Sequence, residues 1–199
     1  MKKRKIVYGI LLLLLLTACS QIKNAKENGL YVEKSGKITE AIVETFDEDY
    51  YSKEELNVNI LSAIKTYNDE KKEDRISLKN LRLKDKKIRA LLQYKSYKDY
   101  QNFNKVFLFV GGIKQAGKAG IDLNIPVFSN EEEKTERLLS DLQSEKSYKV
   151  LVVDKAMHVE VEGKILFAGK NVKIEDKKNA KAVYDKEMAE GNYSYIIYK

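Results

Sequence analysis

The chain has 199 residues, of which 34% are charged and 43% hydrophobic, and its formal net charge at pH 7 is +7. A chain of this length can form one domain whose core needs neither a disulfide nor a metal ion. It contains one cysteine and one histidine, which excludes an intramolecular disulfide and a histidine-rich metal site.

Residues 1–19 carry the strongest signal in the chain. Four cations at positions 2–5 precede an apolar run over residues 6–16, and the segment closes on Leu-Thr-Ala-Cys at positions 16–19. A basic start, an apolar stretch of 7–15 residues and small residues at a cleavage point are typical of a secretory signal. The run is too short for a membrane-spanning helix, which needs roughly 20 residues.

The ending at positions 16–19 resembles the lipobox of bacterial lipoproteins in all four positions. The resemblance implies a signal peptide over residues 1–18, transfer of a diacylglyceryl group to the sulfur of Cys19, and a mature chain that begins at Cys19. It also implies an extracytoplasmic protein anchored to the cell membrane. The alternatives are an ordinary cleaved signal, or a segment that stays in place as an anchor.

Lipidation of Cys19 would explain an unpaired thiol in an exported protein, and two or three acyl chains would hold it at the membrane. The 181 residues from Cys19 onward carry about +3, too little to argue for a nucleic-acid partner. A lysine-rich surface could lie against anionic wall polymers or lipid headgroups, but a solvated face that maintains solubility is favoured. We expect the membrane as one partner, through the lipid, and a cell-wall component or envelope protein as another.

Residues 19–28 are polar and without periodicity, which predicts a flexible tether before a single domain over residues 29–199. The domain begins with two strands, residues 30–33 and 38–46, joined by a turn at Ser35-Gly36. Ser52 is a typical N-cap, and Glu55 completes a capping box, so a helix is expected as far as Asn68. Its apolar face comprises Leu56, Ile60, Ala63, Ile64 and Tyr67.

A second hairpin is predicted over residues 76–94, where the alternation changes phase at Lys79-Asn80 and so indicates a bulge. Ser96 can cap a short helix with Tyr97, Tyr100 and Phe103 on one face. The apolar run 106–110 predicts a buried strand that ends at Gly111-Gly112, followed by a short helix over residues 113–119.

The last third contains one predicted helix and several predicted strands. Asn130 would cap a helix with acids in its first turn, and its apolar face is Thr135, Leu138, Leu139 and Leu142. Residues 150–153 predict a buried strand, residues 159–167 a hairpin that 172–174 would extend, residues 176–190 a helix, and residues 193–198 a closing strand. Hairpins dominate, so we expect an α+β domain with a largely antiparallel sheet and two or three packed helices.

Residues 112–119 resemble the phosphate-binding P-loop, G-x-x-x-x-G-K-[ST], at Gly112, Gly117 and Lys118. Asp154 follows an apolar strand, like the aspartate that holds magnesium in such proteins. The resemblance implies that Lys118 would reach the β- and γ-phosphates. Position 119 is alanine, however, so the hydroxyl that binds Mg²⁺ is missing, and the order of elements is rich in hairpins. A degenerate nucleotide binder is therefore the weakest alternative, and no cofactor is predicted.

Other candidate residues have structural interpretations that are favoured over functional ones. His158 is expected on the polar face of a strand, and no G-x-S-x-G segment suggests a serine partner for it. An acidic cluster at Glu44, Asp47, Glu48, Asp49, Glu54 and Glu55 does not follow a calcium-loop spacing. Tyrosines at 50/51, 94/97/100 and 193/195/198 could stack on a sugar, but packing at the edge of the core is favoured. No catalytic residue and no metal ligand are assigned.

Residues 38–56 and 161–168 resemble small uncharacterised lipoproteins of Gram-positive bacteria, over about a fifth of the mature chain. That resemblance implies no activity. The leading hypothesis is a lipid-anchored, non-enzymatic binding or interaction module at the cell envelope. The alternative is an extracytoplasmic hydrolase with two facing carboxylates, which sequence proximity alone cannot identify.

Overall fold

The computed structural model describes residues 25–48, 52–183 and 193–199. The predicted signal peptide, the predicted lipidation site Cys19, most of the predicted tether, Asp49, Tyr50 and Tyr51 lie outside the described residues. So does the second half of the helix predicted over residues 176–190.

The described residues form thirteen strands, three α-helices and one 3₁₀ helix. In chain order the elements are β1 (Gly29–Val32), β2 (Ile38–Thr45), α1 (Lys53–Lys71), β3 (Ile76–Lys84), β4 (Lys87–Tyr94), α2 (Tyr97–Asn104), β5 (Leu108–Gly112), α3 (Ile113–Lys118), β6 (Pro126–Ser129), β7 (Glu136–Leu138), the 3₁₀ helix (Leu139–Ser144), β8 (Lys149–Val153), β9 (Met157–Val161), β10 (Ile165–Ala168), β11 (Val172–Ile174), β12 (Asn179–Ala182) and β13 (Ser194–Tyr198).

These strands build two sheets. Sheet I has the order β11-β12-β9-β1-β2-β4-β3, and sheet II has the order β5-β8-β13-β10-β6-β7. Among the described pairs only β1 and β9 run parallel. The expected α+β class with largely antiparallel pairing is confirmed, with two sheets rather than one.

The main core lies between the inner face of sheet I and one face of sheet II. Leu30 and Val32 of β1 meet Leu151 and Ile196 of sheet II there. A second core covers the other face of sheet II, where α3 and the 3₁₀ helix pack on Val150. Because sheet II is covered on both faces, its central strands β8 and β13 are apolar nearly throughout.

Several local predictions are confirmed. Helix α1 begins after Ser52, whose hydroxyl oxygen accepts a hydrogen bond from the backbone N–H of Glu55, and Ser96 caps α2 in the same way. The register of β3 against β4 shifts between Leu78 and Asn80, where the sequence predicted a bulge. Asp85 and Lys86 both have positive φ and make the tight turn of that hairpin.

An ion-pair network joins α1, α2 and the start of β3. Asp99 is only 3% exposed and accepts hydrogen bonds from Arg75 Nε and Nη2 at 3.0 and 2.8 Å. Ser96 Oγ and Tyr67 OH donate to the same carboxylate at 2.6 and 3.2 Å. Burial opposes the ionisation of Asp99, but these bonds outweigh it and lower its pKa.

The helix predicted after Asn130 is wrong. Residues 130–135 form a loop between β6 and β7, and only the last turn, Leu139–Ser144, is helical, as a 3₁₀ helix. The Ser129 hydroxyl accepts a hydrogen bond from the Thr135 N–H at 2.8 Å, and the Ser129 N–H donates to the Thr135 carbonyl at 2.9 Å. Those bonds close a β-hairpin. The acids at residues 131–133, which suit the first turn of a helix, gave no indication of it.

The predicted hairpin over residues 159–167 is also wrong in its pairing. Both strands exist, but β9 belongs to sheet I and β10 to sheet II. The chain changes sheets at Gly163, where a Cβ would lie 2.3 Å from the carbonyl oxygen of Lys199. Strand β12 occupies the first part of the predicted helix 176–190, and β11 pairs with β12 rather than extending β10. The strand predicted at 106–110 begins two residues later and includes both glycines.

Candidate functional site

The candidate site lies on the outer face of sheet I, the face turned away from the main core. Residues alternate in each strand, so on β9 the residues between the buried Met157, Val159 and Val161 are His158 and Glu160. On β4 the corresponding outward residues are Lys87, Arg89, Leu91 and Gln93. This face is polar and half-buried, whereas the opposite face is apolar.

Residues 25–27, near the end of the predicted tether, line cavities on this face, and Asn28 joins the segment to β2. The carboxylate of Glu27 pairs with Lys181 Nζ of β12 at 2.5 Å. Asn28 Oδ1 accepts a hydrogen bond from the Val43 N–H at 2.6 Å, and Asn28 Nδ2 donates to Glu44 at 2.8 Å. The His158 N–H donates to the Asn28 carbonyl at 3.2 Å. The chain thus enters β1 through a clamp on β2, β9 and β12.

On one side of the clamp is an acidic cavity of about 130 Å³, lined by Glu27, His158, Glu160 and Asn179 among others. His158 Nδ1 lies 3.2 Å from a carboxylate oxygen of Glu175, and its Nε2 lies 3.0 Å from Asn179 Oδ1. His158 therefore has polar partners on both ring nitrogens, on the polar face of a strand as the sequence predicted.

Two carboxylates of the acidic cavity differ in their pKa values. Burial raises the pKa of Glu160, whereas the hydrogen bond from Lys181 lowers the pKa of Glu27. Environments that push two carboxyl pKa values apart separate a proton donor from an ionised partner. The cavity is nevertheless smaller than the roughly 300–1,000 Å³ typical of small-molecule sites.

On the other side of the clamp is a group of four cations, Arg82, Lys84, Lys87 and Arg89, which we name the cationic tetrad. Arg82 lies directly opposite Arg89, and Lys84 lies directly opposite Lys87. The alternation of the two strands places all four on the outer face. Their side chains make no hydrogen bond or ion pair within the described part of the chain. Like charges directly opposite each other destabilise a sheet.

Arg89 shows the clearest departure from ordinary packing. Its Nε is buried and has no hydrogen-bond partner in the described residues, although buried donors are nearly always paired. It borders a cavity of about 190 Å³, whose polar lining is Asn80, Arg82, Lys84 and Arg89 and whose apolar wall includes Ala25, Ala41 and Leu91. Ala25 lines both cavities, so the clamp lies between them.

The structure does not bring the P-loop-like residues into a phosphate site. Gly112 ends β5 opposite Lys149, whereas Asp154 follows Val153 at the other end of the same antiparallel pair. The Gly112 N–H donates to the Gln115 side chain at 2.9 Å, and Asp154 accepts from the Phe107 N–H at 3.1 Å. Gly117 and Lys118 lie in α3. Neither Lys118 nor Asp154 lines the acidic or the cationic cavity.

The described members of the acidic cluster form no group of three carboxylates that could hold a metal ion, and the described tyrosines lie in different parts of the fold. Glu44 accepts from Asn28, and Glu54 and Glu55 occupy the first turn of α1. Tyr94 and Tyr100 are buried edge-to-face with ring centroids 5.2 Å apart. Tyr193 packs on Phe107 beside a cavity of about 570 Å³ at one end of sheet II.

Neither the tetrad nor Glu160 was assigned from the sequence. A signal for the tetrad is nonetheless present, because basic residues at alternate positions flank the observed turn at Asp85-Lys86 (Arg-x-Lys before it and Lys-x-Arg after it). Comparison of the chain with protein-family models, curated proteins and solved structures found no match. In the described residues there is no cluster of three metal-ligating side chains and no helix long and apolar enough to cross a membrane.

Proposed function

We propose that the mature chain is a lipid-anchored, non-enzymatic protein of the cell envelope that binds an envelope component through the outer face of sheet I. The lipobox-like ending supports the anchor. The observation that carries the proposal is the clamp at residues 25–28, which fixes the outer face next to the point where the tether enters the domain.

The distance along the tether supports this use of the face. Ala25 lies six residues after Cys19, a distance of about 20 Å when the chain is fully extended. A lipid on Cys19 would hold the outer face of sheet I within that distance of the bilayer surface. The face would meet lipid headgroups and the innermost wall polymers.

Anchoring is tested by replacing Cys19 with alanine and by blocking lipoprotein signal peptidase with a globomycin-type inhibitor. We expect the inhibitor to accumulate the precursor, and Cys19→Ala to release the protein from the membrane fraction. Normal maturation under the inhibitor, or an alanine variant that stays membrane-bound, would contradict the anchor.

The working face is tested separately by photocrosslinking in cells. A photoreactive residue replaces Gln93 on the outer face of β4, and a matched control replaces Val58, which is 63% exposed on α1. We expect crosslinks to envelope material from position 93 in clear excess over those from position 58. Equal crosslinking from both positions would remove the outer face from the proposal.

The acidic cavity favours a second candidate, an extracytoplasmic hydrolase. Glu160, with its raised pKa, would donate a proton to a leaving group, and Glu27, held ionised by Lys181, would activate water or stabilise charge. The test is release of soluble fragments from purified peptidoglycan. Activity that Glu160→Gln abolishes, while the exposed control Glu145→Gln retains it, would favour the hydrolase over the binding module.

A further inference from the structure

We propose that the cationic half of the outer face is a binding site for a phosphate group, seated in the cavity between Asn80, Arg82 and Arg89. The inference rests on the proposed function, since it assigns a ligand class to the face through which that function would be carried out. The site is defined by its own residues, and its binding is measured directly on the protein as purified from cells, whatever the state of Cys19.

Charge is the first argument for an anionic ligand. The two cross-strand pairs of the tetrad place four cations in an array about 5 Å wide, the spacing of paired residues, and about 7 Å long, the spacing of alternate residues in a strand. Four described carboxylates lie near them along the chain or across the sheet, and none makes an ion pair with the tetrad: Glu44, Asp47, Glu48 and Asp85. Asp47 and Glu48 are exposed beyond the end of β2. Asp85 is exposed in the turn, and Glu44 lies on the inward side of β2 and binds Asn28. No ion pair among the described residues therefore relieves the repulsion, and a bound anion would reduce it.

The buried donor is the second argument, and it is independent of the first. Arg89 Nε faces no acceptor among the described residues, although the cavity beside it has room for one. That cavity, about 190 Å³, is several times the roughly 30 Å³ share of one water molecule. An anion there would accept from Arg89, from Arg82 and from the side-chain amide of Asn80.

The donor set favours phosphate over carboxylate. Two guanidinium groups present planar forks that match the oxygens of a phosphate, which Arg binds in bidentate fashion. A carboxylate offers two oxygens and one charge, fewer than two arginines, a lysine and an amide can bind. The apolar wall of Ala25, Ala41 and Leu91 excludes water on one side and strengthens these charged hydrogen bonds.

Two envelope sources present this chemistry, the headgroup of an anionic phospholipid and the repeating phosphodiester of a wall polymer. Titrations with three probes distinguish them, using the protein purified from cells in a non-ionic detergent, in the form in which it accumulates. The probes are inorganic phosphate, a glycerol-phosphate oligomer, and short-chain phosphatidylglycerol with short-chain phosphatidylcholine as its zwitterionic control. Isothermal titration at constant ionic strength measures the affinity.

The variants are Arg89→Gln, Arg82→Gln and Arg89→Lys, with Arg137→Gln as the matched control. Arg137 is an exposed arginine on β7 of sheet II and makes no ion pair with described residues. We expect the two tetrad glutamine variants to weaken binding at least tenfold and Arg89→Lys to weaken it less, because lysine keeps the charge but not the fork. Arg137→Gln should leave affinity unchanged. Arg82 is exposed, so Arg82→Gln keeps the test informative even where Arg89→Gln disturbs folding.

The outcomes separate this inference from the proposed function. Preference for the oligomer assigns the wall polymer, preference for phosphatidylglycerol assigns the lipid, and either result supports the site. No binding of any probe, or an equal loss in Arg137→Gln, overturns the inference even if crosslinks from position 93 stand. Conversely, phosphate binding that depends on the tetrad, found without an excess of crosslinks from position 93, supports the phosphate site and contradicts the proposed function of the face.

Discussion

Replacing Arg89 with methionine should make the protein more stable, which is the opposite of what most substitutions do. Methionine keeps an unbranched chain of similar length in the half-buried position, so the packing of the arginine stem is retained. The substitution removes the buried Nε that has no partner among the described residues. It also removes one member of the Arg82–Arg89 pair of opposed cations.

The magnitude follows from those two changes. A buried donor without a partner costs about 1–3 kcal/mol, and two like charges directly opposite in a sheet cost about 0.2–1 kcal/mol. Lost hydration of the accessible part of the guanidinium offsets some of this gain. We expect the free energy of unfolding to rise by about 1 kcal/mol, whereas an average substitution lowers it by about that much.

The assay is thermal and denaturant unfolding of the ligand-free protein at low and high ionic strength. For a domain of this size, about 1 kcal/mol raises the Tm by about 2–4 °C, and salt of about 1 M should shrink the difference because it screens the charge repulsion. Arg137→Met, on an exposed position of sheet II, should change stability by no more than about 0.5 kcal/mol. An Arg89→Met protein with a lower Tm than wild type would refute the reasoning that the tetrad is strained without a ligand.

Three further predictions concern residues away from the tetrad. Asp99→Asn should destabilise the fold by about 3 kcal/mol, because Arg75 loses its buried charged partner. The pKa of Asp99 is lowered on folding, so the wild-type protein should lose this contribution to stability as the pH falls below about 4. Urea unfolding measured across this pH range should show no such loss in the variant. Glu40, which accepts from Tyr94 OH at 2.6 Å, has a pKa raised by burial, so its contribution to stability falls as pH rises from about 4.5, and Glu40→Gln should abolish that decline in the same measurement. Gly29→Ala would place a Cβ 2.9 Å from the carbonyl oxygen of His158, so it should lower the free energy of unfolding, measured by thermal unfolding, by about 1–3 kcal/mol. The control Gly112→Ala should lower it less, because a Cβ at Gly112 meets no atom of the described residues closer than 3.6 Å.

The elements that could be predicted are those whose signal is local. Ser52 and Ser96 cap helices because a hydroxyl at that position satisfies a backbone N–H within three residues. The bulge at Lys79-Asn80 could be read from the change of phase alone, since a strand cannot keep its apolar residues on one face across such a change without an extra residue. These features need no knowledge of the rest of the chain.

Strand partners could not be predicted in the same way. The alternation in β9 and β10 shows that each is a strand, but it is the same whether the two strands pair with each other or lie in different sheets. The helix prediction after Asn130 failed for a related reason. The acids that would favour a first helical turn were outweighed by the pairing of β6 with β7. Both errors concern contacts between residues far apart in sequence.

The candidate site divides along the same line. The predicted hairpin of residues 76–94 already places alternate basic residues on one face, so the tetrad could have been recognised from its spacing. Its lack of ion pairs among the described residues could not be predicted, because that depends on where the side chains of nearby acids such as Glu44 lie in the fold. The clamp was also invisible in the sequence, since the polar stretch before β1 has no periodicity and was interpreted as flexible throughout.

The contrast between the two faces of sheet I argues that the outer face is the working one. Buried polar groups of the core, such as Asp99 and Glu40, are held by several hydrogen bonds each, as structural groups are. The second buried side-chain atom without a partner in the described residues is the Tyr198 hydroxyl, which is neutral and lies in the core. Opposed cations and a buried guanidinium nitrogen without an acceptor both occur on the outer face. Departures from local packing rules that persist in a stable fold are expected at functional sites, and here they adjoin the segment that would lead to the membrane.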